Sequence, residues 1–460
     1  MSSDAESVQP DDDSDGSSRT AIIVTVVALL VLAICSPWAL DVRLAFLFMQ
    51  VVIISIVIWQ ACDPFADTAQ WVGETFRLPG SVRGATLDAI ASSMPELFSG
   101  IFFVLLAIMA TDGSPEAIAE TGGEGYGATV ATCAGSAVYN MILIPAFCAL
   151  VISFYRKSRP TIDVEPEVIA RDGMWFLGCE AVLILFLFQD RMYWWMGVVL
   201  LGMYCTYIFQ LYRDAKHYQK AMDAIHRHLG DVGEETPTDE IVATLRREGI
   251  RATPTLVDEI KHSSQEEDEE EDSDTAGVFY GMFDIPLNHV TAVVVLLAST
   301  VVAAIACYWL VEVTRETASE LNVPVFFVAV ILAAAASSVP DTFLSIGAAM
   351  RGDDSGAVSN AFGSNIFDIC VCLSIPLLLN SYLMGWQPVL LTQNGEPIEG
   401  LVDLRILLAT LTGITLLIMW HNRQLTRIKA FVLCGLYGVF IAYAVAGSFG
   451  VSILSLLGLR

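Results

Sequence analysis

The sequence has little charge, and most of the charge it has is negative. Charged residues make up 16% of the 460 positions, and 51 acidic residues against 24 basic ones give a formal net charge of −27 at pH 7. This excess of acid excludes binding to nucleic acid, whose phosphates need basic residues. Hydrophobic residues make up 55% of the chain, which is typical of a protein that crosses a membrane several times.

Cysteine and histidine are too scattered to form the common soft-metal centres. The ten cysteines contain no CxxC pair and lie almost all in apolar segments, and the six histidines do not cluster with them. We therefore expect neither a zinc site nor a disulfide framework, and no resident cofactor.

Long apolar runs predict an all-α, multi-pass integral membrane protein, with no particular cellular membrane indicated. About 20 residues are needed to cross the hydrocarbon core. After an acidic stretch at residues 1–20, predicted to be disordered, comes a leading span at Ala21–Leu40. Because the first 20 residues are acidic and lack the basic start of a secretory signal, we expect this span to be retained. Two groups of five spans follow, within residues 44–211 and 286–460, at Leu44–Ala61, Ala85–Ala110, Thr129–Phe154, Met174–Gln189, Trp194–Leu211, Val290–Leu310, Val325–Met350, Ala357–Leu379, Leu404–Trp420 and Ala430–Ala446.

The two groups are joined by a polar segment at residues 212–285. It contains a predicted short helix at Asp239–Arg247 and an acidic run at Glu266–Asp272 that we expect to be disordered. Basic residues concentrate at positions 156–171, 213–220 and 423–429, which the span count puts on one side of the membrane. The positive-inside rule makes this side, and hence the linker, cytoplasmic.

Two short motifs occur once in each group of spans. Ala91–Glu96 reads Ala-Ser-Ser-Met-Pro-Glu, and Ala336–Asp341, 245 positions later, reads Ala-Ser-Ser-Val-Pro-Asp. Gly135–Asn140 is matched in the same way by Gly363–Asp368, 228 positions later. Because an odd number of spans, five, separates the copies, the halves have opposite orientations. This inverted repeat predicts a substrate site near the membrane midplane, where the two halves meet.

The repeated motifs place acids and hydroxyls at membrane depth, where an unpaired carboxylate is costly and is usually kept to bind an ion. Each proline is expected to unwind its helix and to free backbone carbonyls. All these groups are hard oxygen ligands, suited to sodium, potassium or calcium rather than zinc or copper. The candidate ligands are Glu96, Asp341, Asp368, Ser92, Ser93, Ser136, Ser337, Ser338, Ser364, Asn140 and the carbonyls near Ala89 and Ala334. A lone serine in a helix can instead simply bond its own backbone.

Two further acids lie in the predicted spans. Asp88 precedes Glu96 by eight residues, and its counterpart in the second half is Ala333. It is interpreted either as a solvated acid near the cytoplasmic mouth or as an extra ion or proton site. Glu180 is expected to lie at the membrane interface.

The motifs resemble the α-repeats of the calcium/cation antiporter superfamily, and most closely those of the potassium-dependent sodium/calcium exchangers. The similar stretches are Cys62–Phe65, Gly84–Thr86, Ser93–Glu96, Gly135-Ser136 with Asn140, Arg171-Asp172 with Trp175-Phe176, Ser338–Asp341 and Gly363–Asp368. Where the family commonly has Gly-Ser and Gly-Thr, this chain has Ala91-Ser92 and Ala336-Ser337. The added Cβ atoms reduce backbone freedom, which could alter the preferred ion size.

The resemblance implies that Glu96 and Asp341, with Ser93 and Ser338 beside them, coordinate Ca²⁺ and Na⁺ in alternation, and that Asp368 holds K⁺ or Na⁺. It predicts an antiporter that exchanges Ca²⁺ for Na⁺, together with K⁺, by alternating access. The expected partners are the lipid bilayer and inorganic cations, and no protein partner is indicated. The main alternative is a proton- or Mg²⁺-coupled divalent cation antiporter. A passive channel is a weaker alternative, and no enzymatic activity is expected because the Gly-x-Gly-Asp pattern of an intramembrane aspartyl protease is missing.

Overall fold

A computed structural model describes residues 43–111, 115–157, 159–189, 191–232, 236–247, 257, 275–393, 396–398 and 400–451. The predicted leading span Ala21–Leu40, the N-terminal stretch 1–20 and the acidic run Glu266–Asp272 lie outside these residues. All other predicted spans fall on helices of the described part of the chain.

The described residues form eleven helices, ten of them at the predicted spans. In chain order they are α1 (Arg43–Thr75), α2 (Gly80–Met109), α3 (Pro115–Tyr155), α4 (166–187), α5 (Trp194–Val232), α6 (Thr238–Arg247), α7 (His289–Leu321), α8 (Val325–Met350), α9 (Asp354–Leu383), α10 (Leu401–Trp420) and α11 (Arg427–Ser448). Nine of these helices, all but α4 and α6, are long and apolar enough to cross a membrane. Helix α4 lies at a predicted span but carries Arg171, Asp172 and Glu180.

Eight short strands complete the described structure, and all pair antiparallel in twos. They are β1 (Ile162–Asp163), β2 (Arg191–Met192), β3 (Thr275–Val278), β4 (Phe283–Pro286), β5 (Val389–Leu390), β6 (Thr392–Gln393), β7 (Glu396–Pro397) and β8 (Gln424–Leu425). The pairs β1–β8 and β2–β5 join loops of the two halves, whereas β3–β4 and β6–β7 are hairpins. The described fold is therefore helical, and its strands either pair one loop with another or form small hairpins.

The polar linker contains more helix than expected. The short helix at Asp239–Arg247 is confirmed as α6, but α5 continues to Val232 instead of ending near Leu211. The extension is stabilised by an apolar stripe, in which Ala221, Ile225 and Leu229 are buried against residues of α6. Positions three and four apart lie on one helical face, so this stripe supports a helix even though the surrounding sequence is polar.

The inverted repeat is visible in the backbone. Helix α2 contains a π-helical turn at Gly84–Asp88, and α8 contains one at Ala329–Ala333, again 245 positions later. Each turn is packed against a glycine of the other half. A Cβ atom on Gly135 would overlap the Val330 carbonyl oxygen, and one on Gly363 would lie 2.6 Å from the Ala85 Cα atom. The prediction that these two glycines allow close helix approach is confirmed.

Candidate cation site

The two repeat motifs meet in one fully buried cluster of polar side chains. Each half supplies one acid-bearing helix, α2 or α8, and one helix that crosses it, α3 or α9. The cluster comprises Glu96 from α2, Ser136 and Asn140 from α3, Ser338 and Asp341 from α8, and Ser364 and Asp368 from α9, all with 0% exposure. The sequence predicts that these seven residues lie in one site, and the structure places them together. Their role as ligands stays a prediction.

Within each half, the serine of the second motif contacts the acid of the first. Ser136 Oγ lies 3.1 Å from Glu96 Oε1, and Ser364 Oγ lies 2.6 Å from Asp341 Oδ1. These contacts are repeat counterparts, because Ser136 corresponds to Ser364 as Glu96 corresponds to Asp341. The close approach of Gly135 and Gly363, one residue before each serine, brings the hydroxyls to the acids.

Further contacts join the two halves around Ser136. Its Oγ lies 2.9 Å from Ser338 Oγ and 2.9 Å from Asp368 Oδ2, and Ser338 Oγ lies 3.2 Å from Glu96 Oε1. Together with the Ser136–Glu96 contact, this makes four oxygen–oxygen approaches among four side chains. Two hydroxyl groups can donate only two hydrogen bonds. If Glu96 and Asp368 are both ionised, two of the four oxygen–oxygen contacts have no proton between them. Those two contacts are favourable only if another positive charge is present.

The cluster also contains buried oxygens without a hydrogen-bond partner. They include Glu96 Oε2, Asp368 Oδ1, Asn140 Oδ1 and the Ser93 hydroxyl. Within the described residues, no Lys, Arg or His forms an ion pair with Glu96, Asp341 or Asp368. Burying an ionised carboxylate without a partner is costly, so the arrangement favours an added cation or proton.

The site is not a preformed centre of three or more acidic, Cys or His ligands. Among the residues that the structure describes, no group of three such side chains is arranged to hold one metal ion. Any ion held here would have to share its coordination among carboxylates, hydroxyls and the Asn140 amide oxygen. Mixed oxygen coordination of this kind is typical of sites for Na⁺, K⁺ and Ca²⁺.

Only one of the two expected unwound turns is present. Pro95 lies inside an uninterrupted helical stretch, Ala89–Met109, so the prediction for the first half is wrong. In the second half the helix is interrupted at Ser338, between Ala334–Ser337 and Val339–Met350. A proline removes one N–H without always breaking the helix, and here only one copy breaks.

The carbonyls expected to be free at Ala89 and Ala334 already have partners, so this prediction is corrected. Ala334 O accepts from Ser338 N at 3.1 Å and from Ser337 Oγ at 3.2 Å, and Ala89 O lies 3.4 Å from Ser92 Oγ. A proline leaves unpaired the carbonyl four residues earlier, which is Ala91 or Ala336 instead.

The first serine of each Ser-Ser pair mainly bonds its own helix. Ser92 Oγ donates to Asp88 O at 2.8 Å, and Ser337 Oγ donates to Ala334 O. Ser92 also reaches Ser364 Oγ at 3.4 Å, so it borders the cluster. The second serines differ from each other, because Ser338 bonds Glu96 whereas the Ser93 hydroxyl has no partner.

The interpretation of Asp88 as a solvated acid is wrong. The side chain is buried, and its Oδ2 lies 3.3 Å from Arg83 Nε, while Arg83 also binds Asp353 at 2.9 Å. The interpretation of Asp88 as an extra ion or proton site stays a prediction. Glu180, expected at the interface, is buried as well and accepts from Thr412 at 3.3 Å.

Two residues near the cluster were missed by sequence reasoning. Ser99, three residues after Glu96 and on the same helical face, is buried and its hydroxyl has no partner. Asn365 follows Ser364 and donates to the Ala137 carbonyl of the other half at 3.1 Å, with its own amide oxygen unpartnered. The spacing of Ser99 was a usable signal, whereas the contact of Asn365 with a residue 228 positions away was not.

Comparison with known proteins identifies the family of this chain. A model of the family described as "Sodium/calcium exchanger protein" matches residues 44–213 and 291–446, well over half of the chain. The human sodium/potassium/calcium exchanger 5 is 24% identical over 392 residues, 76% of this chain and 73% of that protein. Sodium/potassium/calcium exchanger 4 of Mus musculus is 23% identical over 522 residues, 85% of this chain and 79% of that protein.

Solved structures show the same fold. The crystal structure of the H⁺/Ca²⁺ exchanger CAX has a TM-score of 0.54 at 12% identity, covering 94% of this chain and 95% of that one. The sodium-calcium exchanger NCX_Mj soaked with 2.5 mM Na⁺ and 0.1 mM Ca²⁺ has a TM-score of 0.50 at 16% identity, covering 87% of this chain and 98% of that one. The predicted helical membrane architecture is confirmed.

Proposed function

We propose, because this chain belongs to the sodium/calcium exchanger protein family, that it exchanges Ca²⁺ for Na⁺ across a membrane and carries K⁺ together with Ca²⁺. The ions are cargo, and Glu96, Asp341 and Asp368 bind them by turns within the buried cluster. Exchange proceeds by alternating access, and no chemical bond of a substrate is made or broken. The partners in this proposal are the bilayer and the cations alone.

The observation that carries the proposal is the mismatch between acids and donors around Ser136. Three carboxylates are fully buried, two of them with an unpartnered oxygen, and hydroxyl protons cannot satisfy the close oxygen–oxygen approaches. A bound cation relieves both problems at once, because it attracts all the surrounding oxygens. Three negative charges match one Ca²⁺ with one K⁺, or about three Na⁺ ions.

The two sides of the cluster differ, and the difference suggests where each ion binds. Asn140 donates an amide hydrogen to Asp341 Oδ2 at 3.4 Å. Its repeat counterpart is Asp368, a second acid, which together with Glu96 surrounds Ser136. We infer that Ca²⁺ lies between Glu96 and Asp341, with oxygens from both halves, and that K⁺ or a Na⁺ ion lies on the Asp368 side.

Coupling follows from charge. The cluster without ions would carry bare carboxylates through a closed, water-excluding state, whereas a loaded cluster is close to neutral. Ions therefore lower the free energy of the closed state relative to the open states, and only loaded protein crosses readily. Since Na⁺ and Ca²⁺ use the same carboxylates, loading one displaces the other.

The test is calcium uptake into sodium-loaded liposomes, with and without external K⁺. We expect uptake by the wild type to depend on the Na⁺ gradient and to increase with K⁺. Glu96→Gln should abolish uptake, and Asp368→Asn should remove its K⁺ dependence. The matched control is Glu180→Gln, which neutralises a buried acid bonded to Thr412 rather than to the cluster and should leave both properties unchanged.

Different results contradict different parts of the proposal. Wild-type uptake by Glu96→Gln would contradict the assignment of the site, and uptake by the wild type without response to K⁺ would contradict potassium coupling alone. The second candidate, proton coupling, is favoured by the unpartnered Glu96 Oε2 and Asp368 Oδ1 atoms, which could also take protons. Uptake that follows an imposed pH gradient and ignores the Na⁺ gradient would support that candidate instead.

A further inference from the structure

The end of the polar linker is a β-hairpin that packs along α1. Strands β3 and β4 pair from Thr275↔Pro286 to Val278↔Phe283, and the turn between them lies at residues 279–282. Only Leu287 and Asn288 separate the hairpin from α7, whose first residue, His289, contacts Trp71 of α1 with ring centroids 5.6 Å apart. The hairpin therefore lies between the C-terminal end of α1 and the beginning of α7.

The tip of the hairpin reaches deep along α1. The Tyr280 ring packs edge-on against Trp59 at 5.8 Å, and Trp59 stacks on Phe343 at 4.0 Å. Phe343 lies two residues after Asp341, about 3 Å along the helix axis. The tip is thus near the depth of the buried cluster and not at the surface of the bilayer.

Two polar side chains of α1 satisfy the backbone of the hairpin. The N–H of Gly277 donates to Asp67 Oδ2 at 2.9 Å, and the N–H of Tyr280 donates to Gln60 Oε1 at 2.8 Å. Gln60 and Asp67 are seven residues apart, two helical turns, and so lie on one face. Non-helical backbone is tolerated at membrane depth only where its polar groups find partners within the protein. This requirement accounts for Gln60 and Asp67 on α1.

Three apolar side chains at or next to the tip face away from the protein. Phe279 is 63% exposed, Met282 60% and Phe283 61%. Three large apolar side chains next to each other would be unfavourable in water, and they are well suited to a lipid environment. We propose that residues 275–286 form a re-entrant hairpin whose tip lies among the lipid acyl chains and whose backbone is anchored to α1 by Gln60 and Asp67.

The hairpin ties α1 to α7 at one end. At the other end of the same two helices, Arg43 binds Glu320 at 3.0 Å and Glu316 at 3.4 Å. The inference does not depend on which ions the protein carries, and its test needs no transport measurement.

The test is a spin label at Met282→Cys in a background in which Cys35, Cys205 and Cys434 are replaced by serine, with the protein in liposomes. Collisions with apolar O₂ and with a polar nickel chelate report whether the label lies in lipid or in water. Lipid-facing Leu297→Cys on α7 and Lys216→Cys on the polar extension of α5 give the two reference values. We expect nickel accessibility at 282 to match that at 297 and to be about tenfold or more below that at 216, because a polar solute enters hydrocarbon poorly.

The anchoring residues are tested by Gln60→Leu with Asp67→Leu, which should raise nickel accessibility at 282 towards the value at 216. The matched control is Gln70→Leu on the same helix, since Gln70 bonds Glu74 and not the hairpin; it should change nothing. A label at 282 as accessible to nickel as the label at 216 in otherwise unaltered protein would overturn the insertion. Unchanged accessibility in the Gln60/Asp67 variant would overturn the anchoring.

Discussion

Replacing Gly363 by alanine is a sensitive test of how the helices position the site. The new Cβ atom would lie 2.6 Å from the Ala85 Cα atom and 2.7 Å from its carbonyl oxygen. Both are backbone atoms of the π-helical turn and cannot rotate away. Ordinary contact begins near 3.4 Å, so α9 must move by about 0.8 Å, and overpacking of this kind costs about 1–3 kcal/mol.

The displacement acts directly on the neighbouring residue. Ser364 Oγ is 2.6 Å from Asp341 Oδ1, and a shift of this size would lengthen the contact past a good hydrogen bond. Loss of a hydrogen bond to a charged group costs about 1.5–3 kcal/mol, which corresponds to about a 10- to 150-fold weaker apparent affinity for Ca²⁺. The assay is sodium-dependent calcium uptake in liposomes as a function of Ca²⁺ concentration.

The control is Gly438→Ala, because a Cβ atom there has nothing within 4 Å. This variant should transport as the wild type does and should be slightly more stable, since alanine favours a helix over glycine by about 1 kcal/mol. If Gly363→Ala were folded and had wild-type affinity and rate, the argument that the glycine contact positions Ser364 would be wrong.

Two further predictions concern the residues around the cluster. Arg83→Gln leaves Asp88 and Asp353 without their cation, and removing one partner of a buried ion pair costs about 3–5 kcal/mol. Thermal unfolding in detergent should therefore begin at a clearly lower temperature. An unchanged unfolding temperature would argue against the ion pair. Ser136→Ala should weaken the apparent Ca²⁺ affinity in the uptake assay far more than Ser337→Ala does. The reason is that Ser136 contacts oxygens of three cluster residues, whereas Ser337 donates to its own helix. Equal effects of the two substitutions would contradict the conclusion that Ser136, and not Ser337, helps to form the site.

The repeat and its position in the membrane could be predicted from the sequence because they rest on local identity. The residues within each copy of Ser-Ser-x-Pro-acid and of Gly-Ser are contiguous in the chain, so the offsets between copies and the odd number of spans are read directly. The structure adds that the π-helical turns at Gly84–Asp88 and Ala329–Ala333 follow the same offset. No residue pattern in the sequence predicts these π-helical turns. Each turn packs against a glycine of the other half, Gly363 or Gly135, and this contact cannot be read from the local sequence.

The errors have a different physical origin. Whether a proline breaks its helix depends on the packing around it, so Pro95 and Pro340 could not be distinguished by sequence. Asp88 was not recognised as buried in an ion pair. Its partner, Arg83, lies only five residues earlier in the sequence, but the second partner of Arg83, Asp353, lies 270 positions away along the chain. The hairpin at residues 275–286 was assigned to the linker because its strands are short and its anchor, Gln60, belongs to another helix.

The site repeats one serine–acid contact in each half but is asymmetric in its acids, and this asymmetry determines its charge. The contacts Ser136–Glu96 and Ser364–Asp341 are equivalent under the repeat. Asn140 and Asp368 occupy equivalent positions too, yet the first can donate a hydrogen bond to a carboxylate and the second, when ionised, can only accept one. With asparagine at both positions the cluster would hold two negative charges and would be neutralised by a single Ca²⁺. With Asp368 ionised it holds three, so one Ca²⁺ leaves a buried negative charge, and the proposed function assigns the balancing charge to a monovalent ion. The proposed second cation therefore rests on one side chain, Asp368, where the repeat has Asn140.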